Sequence, residues 1–277
     1  MTESVSNVPA IELADGNKIP QVGLGFWKVR DRAEFDRSFT AGVEAGYRHF
    51  DTAQVYGNES YLGEALKNSK LARQDAWITT KIAVQHFGHK HALKSFEESL
   101  KHLQTDYVDL LLLHFPVSLL RKKTWLAAEE ILAEGKAKSI GVSNYTIKHL
   151  QELEQYAKVM PVINQVELHV FLQQPELIAY CHEHAIAVEA YSPLAHAKAM
   201  DEPLIAEIAA KHDKSYAQIM LRWCVQRGLI VLPKSVTPER VKSNIDIFDF
   251  QLDEADMQQL ARLDKDLRTC WDPTNVP

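Results

Sequence analysis

Short β-branched or apolar runs alternate with amphipathic segments of helical periodicity along almost the whole chain, and few architectures accommodate such a pattern. Eight runs read as strands: Val22–Leu24, Arg48–Phe50, Trp77–Thr80, Val108–Leu113, Ser139–Val142, Val162–Val166, Ala187–Ala190 and Leu229–Leu232. Between them, Arg32–Ala45, Glu59–Ser69, His91–Leu103, Thr124–Glu134, Thr146–Gln155 and Pro175–His184 read as helices. A longer helical stretch, Glu202–Gln226, is expected to break near Asp213-Lys214-Ser215. A last helix is expected to start at Thr237-Pro238-Glu239, with Thr as N-cap and Pro at the first helical position. Ahead of all this, Ala10–Leu13, Asp15-Gly16 and Lys18-Ile19 read as a β-hairpin. With no linker or domain break, the pattern predicts an α/β chain folded as a single parallel (β/α)8 TIM barrel over residues 1–277, with an N-terminal β-hairpin. The rival is a doubly wound dinucleotide-binding sheet, whose fingerprint needs a third glycine. Here Gly23-Leu24-Gly25 is followed by Phe26, Trp27 and Lys28, so the pair of glycines reads as a tight turn.

Length and composition agree with this. The chain has 277 residues, and single α/β barrels of about 250 residues are familiar. Hydrophobic residues make up 46% and charged residues 25%, enough apolar content to exclude a disordered chain. The net charge of −6 argues against nonspecific nucleic-acid binding, though a local basic patch stays open. Cys181, Cys224 and Cys270 form no C-x-x-C pair, so no disulfide framework or thiolate zinc site is suggested. Met1–Ile11 lacks the pattern of a signal peptide, and Val108–Leu120 is too short to span a bilayer and is interrupted by Asp109 and His114. The expectation is a soluble, cytoplasmic monomer with no nucleic-acid or membrane partner.

In a barrel, chemistry gathers at the C-terminal ends of the strands. The candidates there are Phe26-Trp27, Asp51, Lys81, His114, Ser143-Asn144, Gln165, Tyr191-Ser192 and Lys234-Ser235. Asp51, Lys81 and His114 each end or follow an apolar strand. A buried carboxylate and ammonium need each other, so Asp51–Lys81 is the natural pair. Tyr56 follows Asp51 by five residues, a loop long enough to return its ring over the same rim.

Several long motifs then carry a resemblance. Gly46–Glu59 (GYRHFDTAQVYGNE), Asp109–Pro116 (DLLLLHFP), Ile140–Tyr145 (IGVSNY), Asn164–Glu167 (NQVE), Ala190–Leu194 (AYSPL) and Leu232–Ser235 (LPKS) occur in order over nearly the whole chain. Together they resemble the aldo-keto reductases, and among these the short bacterial diketogluconate reductase-type members. The resemblance implies a catalytic tetrad of Asp51, Tyr56, Lys81 and His114. In it a phenol with a pKa of about 10 would be made more acidic by the Lys81 ammonium, and a neutral His114 would orient the substrate carbonyl. It implies NADPH as hydride donor, with Ser143, Asn144 and Gln165 at the carboxamide, Tyr191 stacked on the nicotinamide, and Trp27 and Asp51 also among the cofactor-binding residues. Ser192 and Leu194 would lie along the pyrophosphate, Lys234, Ser235 and Arg240 at the 2′-phosphate, and Asn244 at the adenine. Ser243 departs from the family, which often has Glu beside this Asn. The substrate pocket is expected from Trp27, Tyr56, His114 and Phe115. The resemblance implies reduction of aldehydes and activated ketones to alcohols; short segments at Val117–Lys123 and Ala195–Glu202, and a short tail after Leu263, suggest an open pocket with broad specificity for small aldehydes, dicarbonyls and keto-sugars and weak activity on steroids.

Other readings weigh less. Cys181-His182-Glu183-His184 resembles a metal cluster, but on a helix its two histidines face different ways. His86, His89 and His91 read as a polar loop and helix start, so no metal is expected. The different-class rival is a barrel that binds NADPH as a sensor with vestigial chemistry, and a complete tetrad argues against it. A metal-dependent barrel hydrolase would need carboxylates and histidines recurring at strand ends.

Overall fold

The computed structural model describes residues 8–197 and 201–277. Part of Met1–Ile11 and part of Ala195–Glu202 therefore lie outside the described residues. The hairpin strands β1 (Ala10–Glu12) and β2 (Lys18–Pro20) pair antiparallel. Eight parallel strands follow: β3 (Leu24–Gly25), β4 (His49–Asp51), β5 (Trp77–Ile82), β6 (Val108–Leu113), β7 (Ala137–Ser143), β8 (Ile163–Glu167), β9 (Ala187–Tyr191) and β10 (Ile230–Leu232). Each hydrogen-bonds its sequence neighbour, and the seam between the last and first is bridged by Gly23 N–H to Val231 O, Val231 N–H to Gln21 O and Gly25 N–H to Pro233 O. The result is the TIM-barrel architecture that the alternation predicts.

The strands are apolar because both faces are covered, one by the barrel interior and one by helices. All six residues of β6, Val-Asp-Leu-Leu-Leu-Leu, are buried. The helices are α1 (Arg32–Ala45), α2 (Glu59–Asn68), α3 (His89–Leu103), α4 (Arg121–Ala133), α5 (Ile147–Glu154), α6 (Pro175–Glu183), α7 (Pro203–His212), α8 (Tyr216–Gln226), α9 (Pro238–Ile245) and α10 (Glu254–Ala261). Local chemistry sets their ends. The Asp31 side chain accepts from Glu34 N–H to start α1, and Gly46 ends it at φ 99°. The expected break in 202–226 falls where Asp213 adopts φ 51° and a Ser215/Gln218 capping box starts α8. Thr237 is the N-cap of α9 with Pro238 at its first position, as expected, but its side chain makes no capping bond.

Two differences from the sequence reading have physical causes. Gly23 and Gly25 form no turn; they run along the barrel seam, and a Cβ on Gly23 would come within 2.5 Å of His49 Nδ1. The glycine there makes room for a buried imidazole. The helix α10 follows α9 and was not expected, although Asp253 and Asp256 give it a reciprocal capping box. The hairpin also has a task. Its Leu13 and Ile19 pack with Trp77, Leu110, Leu112, Ile163 and Ile230 and plug the N-terminal mouth of the barrel. Burying one such side chain stabilises by about 1.5–3 kcal/mol. The opposite mouth is left for polar side chains.

Candidate active site

Asp51 ends β4, Lys81 lies near the end of β5, and His114 directly follows β6. Neighbouring parallel strands bring them to one rim. Lys81 Nζ, fully buried, donates to both carboxylate oxygens of Asp51 at 2.7 and 2.6 Å and to Thr52 O at 3.0 Å. The pair expected from burial alone is therefore present, with bidentate geometry.

The loop after β4 is fixed by a complete set of hydrogen bonds. Gln54 accepts from Ala83 N–H and from His86, and donates to Ser95 and Ser99. Asn58 accepts from the Thr52 hydroxyl and donates to Phe26 O and Val29 O. Gly57, at φ 70°, reverses the chain between them. This holds the Tyr56 ring edge-on to His114 with centroids 5.7 Å apart, and its hydroxyl accepts from Lys81 Nζ at 3.4 Å. Since the phenol oxygen accepts from the ammonium, its own proton is left to point elsewhere.

The electrostatics correct one expectation. Burial pushes the Tyr56 phenol well above its ordinary value, and the carboxylate of Asp51 pushes it further the same way. Asp51 cancels most of the Lys81 charge at contact distance, so the ammonium does not dominate and the phenol stays protonated. His114 behaves as expected. Burial, then the Lys81 charge, pulls it down to about 3, so the ring is neutral.

Ser143, Asn144, Gln165 and Tyr191 form a connected polar arc beside this cluster. Tyr191 donates to Asn144 Oδ1 at 2.7 Å, Asn144 Nδ2 donates to His114 O and to Ser143 Oγ, and Ser143 Oγ donates to Gln165 O. Ser192, at φ 50°, sits beside His196 and Cys270, and Leu194 packs partly buried on the core. Lys234, Ser235, Arg240 and Asn244 form a separate group at β10 and α9. Ser235 and Asn244 are buried, while Lys234 and Arg240 are exposed and have no ion-pair partner among the described residues. Two unpaired cations beside a helix N-terminus and a buried amide fit the charged end of a dinucleotide phosphate.

Trp27 is partly exposed and stands edge-on to His196, and Phe115 is edge-on to Trp271. Leu119 and Val55 are also exposed on loops after the strands, giving the mouth an apolar lip. Sequence reasoning missed what brings Trp271 here. Glu167, at the end of β8, accepts from the backbone N–H of Thr269 and of Cys270 and from the Thr269 hydroxyl, pinning the C-terminal tail across the rim. Burial alone would raise this carboxyl, but hydrogen bonds from His169 and the tail outweigh it and hold it down at about 2. A second missed residue is Glu189 of β9, a fully buried acid beneath Asp51. Its only sequence signal is one Glu inside an apolar run. Among the described residues, no group of three or more His, Cys, Asp or Glu is placed to hold a metal ion. His184 instead stacks on Tyr180 and approaches Glu154. No helix among these residues is long and apolar enough to cross a membrane.

At its C-terminal rim the barrel thus gathers a buried acid–ammonium pair, a phenol and a neutral imidazole. The chain belongs to the aldo/keto reductase family, whose family model matches residues 21–265. It is 42% identical over 266 residues to the glyoxal reductase of Bacillus subtilis (strain 168), covering 96% of both chains. It is equally 42% identical to the methylglyoxal reductase DkgA of Escherichia coli (strain K12), covering 97% of this chain and 98% of that one. Among solved structures, an aldo/keto reductase from Brucella melitensis superposes with a TM-score of 0.90 at 46% identity, over 93% of this chain and all of that one. An aldo-keto reductase from Bombyx mori in complex with NADP superposes with a TM-score of 0.89 at 35% identity, over 94% of each chain.

Proposed function

We propose that this enzyme reduces small aldehydes, dicarbonyls and keto-sugars to alcohols with NADPH, using Tyr56 as general acid. The observation that carries the reading is the arrangement of Tyr56. Its oxygen accepts from Lys81 while its proton is left free, 5.7 Å ring to ring from a neutral imidazole. Bound NADPH supplies the hydride. The chain supplies the rest. His114 donates to the carbonyl oxygen and orients it. Tyr56 gives that oxygen a proton as negative charge develops. Lys81, held by Asp51, stabilises the phenolate left behind, and its hydrogen bond shortens as that charge grows.

Ser143, Asn144 and Gln165 suit a carboxamide, Tyr191 the stacking face of a nicotinamide, and Trp27 and Phe115 the walls of the substrate pocket. Ser192 and Leu194 follow along the pyrophosphate. Lys234 and Arg240, both exposed and without an ion-pair partner among the described residues, suit a 2′-phosphate, with Ser235 and Asn244 beside it. The glyoxal and methylglyoxal reductases among the relatives support dicarbonyls as the first substrates to try. The test is the absorbance loss of NADPH with methylglyoxal and a panel of other carbonyls, ranked by kcat/KM. A protein that binds NADPH but turns over none of them would overturn the reading.

A further inference from the structure

Glu189 lies inside the barrel with no exposed surface. Its Oε2 accepts from Gln165 Nε2 at 2.6 Å, and the same nitrogen donates to Asp51 Oδ2 at 2.9 Å. One amide thus bridges the carboxyl groups of Glu189 and Asp51. The other oxygen, Oε1, has no hydrogen-bond partner among the described residues and lies 3.5 Å from His49 Nε2. His49 Nδ1 faces Pro20 O at 3.3 Å. A carbonyl can only accept, so Nδ1 carries the imidazole proton. Burial then pulls the ring down to about 3, which leaves Nε2 as a lone pair that faces both the Thr79 hydroxyl at 3.2 Å and Glu189 Oε1. An ionised Glu189 would aim one lone pair at another across 3.5 Å. A proton on Oε1 turns that repulsion into a donor facing an acceptor.

The charge count agrees. The groups facing Glu189 are His49 and Asp51 from β4, Lys81 from β5 and Gln165 from β8, with the Tyr56 phenol above them. On β10 it pairs in register with apolar Ile230. With His49 neutral, two ionised carboxyls against one ammonium would leave an uncompensated buried negative charge, and one proton removes it.

We infer that Glu189 carries a proton at neutral pH and is a positioning residue for the reductase: protonated, it keeps the charge beneath Tyr56 balanced, and on losing its proton to solvent it adds a second negative charge that holds the phenolic proton back. Burial and the neighbouring Asp51 carboxylate raise the acid to about 8, so the change falls on the alkaline side of neutrality. Its ionisation also bears directly on Tyr56, whose phenol it pushes upward. The kinetic half of this inference rests on the carbonyl-reductase reading; the protonation half does not.

Infrared difference spectroscopy of the whole protein decides the proton. Wild type minus E189Q should show the C=O stretch of a protonated carboxyl at neutral pH, bleaching with a midpoint at about pH 8. D51N removes the neighbouring negative charge and should lower that midpoint by about one pH unit or more. The kcat of wild type with NADPH and methylglyoxal should fall about tenfold per pH unit above the midpoint, and E189Q should lack that limb. A missing band at neutral pH, or a midpoint indifferent to D51N, overturns the inference. So does an alkaline limb shared unchanged by wild type and E189Q. If no carbonyl is turned over, the reductase reading fails, and the band and its D51N shift still decide the proton and its coupling.

Discussion

Tyr56 has one hydrogen-bonded neighbour in the cluster, the Lys81 ammonium, and that neighbour is already held by Asp51 at 2.6–2.7 Å. Pairwise reasoning from sequence finds both partners of Lys81 but not the direction of the phenol, because the direction depends on the triple. The ammonium beside a neutralising carboxylate is close to a dipole, and desolvation then decides. Glu189 and the bridging role of Gln165 were not legible for a related reason. A single Glu in Ala187–Ala190 looks the same whether it faces solvent or the barrel floor. Two substitutions test the residue roles. Tyr56→Phe should keep the fold and NADPH affinity and lower kcat by about 10²–10⁴-fold, the usual worth of general acid catalysis. A loss under about tenfold would remove Tyr56 from that role. Lys81→Met should impair turnover nearly as much and should also lower the melting temperature, since it leaves the buried Asp51 carboxylate without its cation. Unchanged turnover in Lys81→Met would show that phenolate stabilisation does not come from this side chain.

The elements explain what periodicity could and could not reveal. Strand and helix alternation is a pattern of apolar burial, so the barrel strands were legible to within a residue or two. The C-terminal tail was not, because what fixes it is a single carboxylate. Glu167 receives three bonds from Thr269 and Cys270 and so carries Trp271 to Phe115. Glu167→Gln keeps the size but loses the charge, and charge-assisted bonds are about twice as strong as neutral ones. The tail should loosen, with KM for carbonyls rising several-fold while kcat changes less. A larger fall in kcat than rise in KM would mean that Glu167 acts on the chemistry rather than on the mouth. At the other side of the rim, the start of α9 carries Arg240 and follows Lys234. Charge-assisted contacts to phosphate contribute about 1.5–3 kcal/mol each. Arg240→Ala should therefore erode a preference for NADPH over NADH by roughly ten- to a hundredfold, read as Kd for both cofactors. An equal loss for both would show that Arg240 does not read the 2′-phosphate.

At the scale of the whole molecule, buried titratable groups pull stability in opposite directions as pH changes. His49 and His114 are held at about 3, below their ordinary 6.5. Between those values the unfolded chain binds more protons, so stability rises with pH through that window. Half-buried His149 acts in the same sense, and Glu167, held at about 2 against 4.5, adds to it below pH 4.5. Glu189 works the other way. Raised to about 8 from 4.5, it makes the folded chain the greater proton binder in that range, and its contribution is lost as pH rises. Buried Glu59 is raised as well and has the same sign. Between 4.5 and 6.5 His49, His114 and His149 together oppose Glu189 and Glu59 and carry the balance, and above 6.5 only the acids remain. The melting temperature should therefore peak at about pH 6.5, fall steeply toward acid and fall gently toward pH 8. Glu189 alone accounts for about 2 kcal/mol of the gentle limb, a shift of a few degrees in a chain of this size. E189Q cannot ionise, so most of that limb should vanish while the acid limb keeps its position. Scanning calorimetry of both proteins across the range checks it. A wild type that grows more stable from pH 6.5 to 8, or an E189Q whose alkaline limb matches wild type, would show that no proton is held at the floor of the barrel.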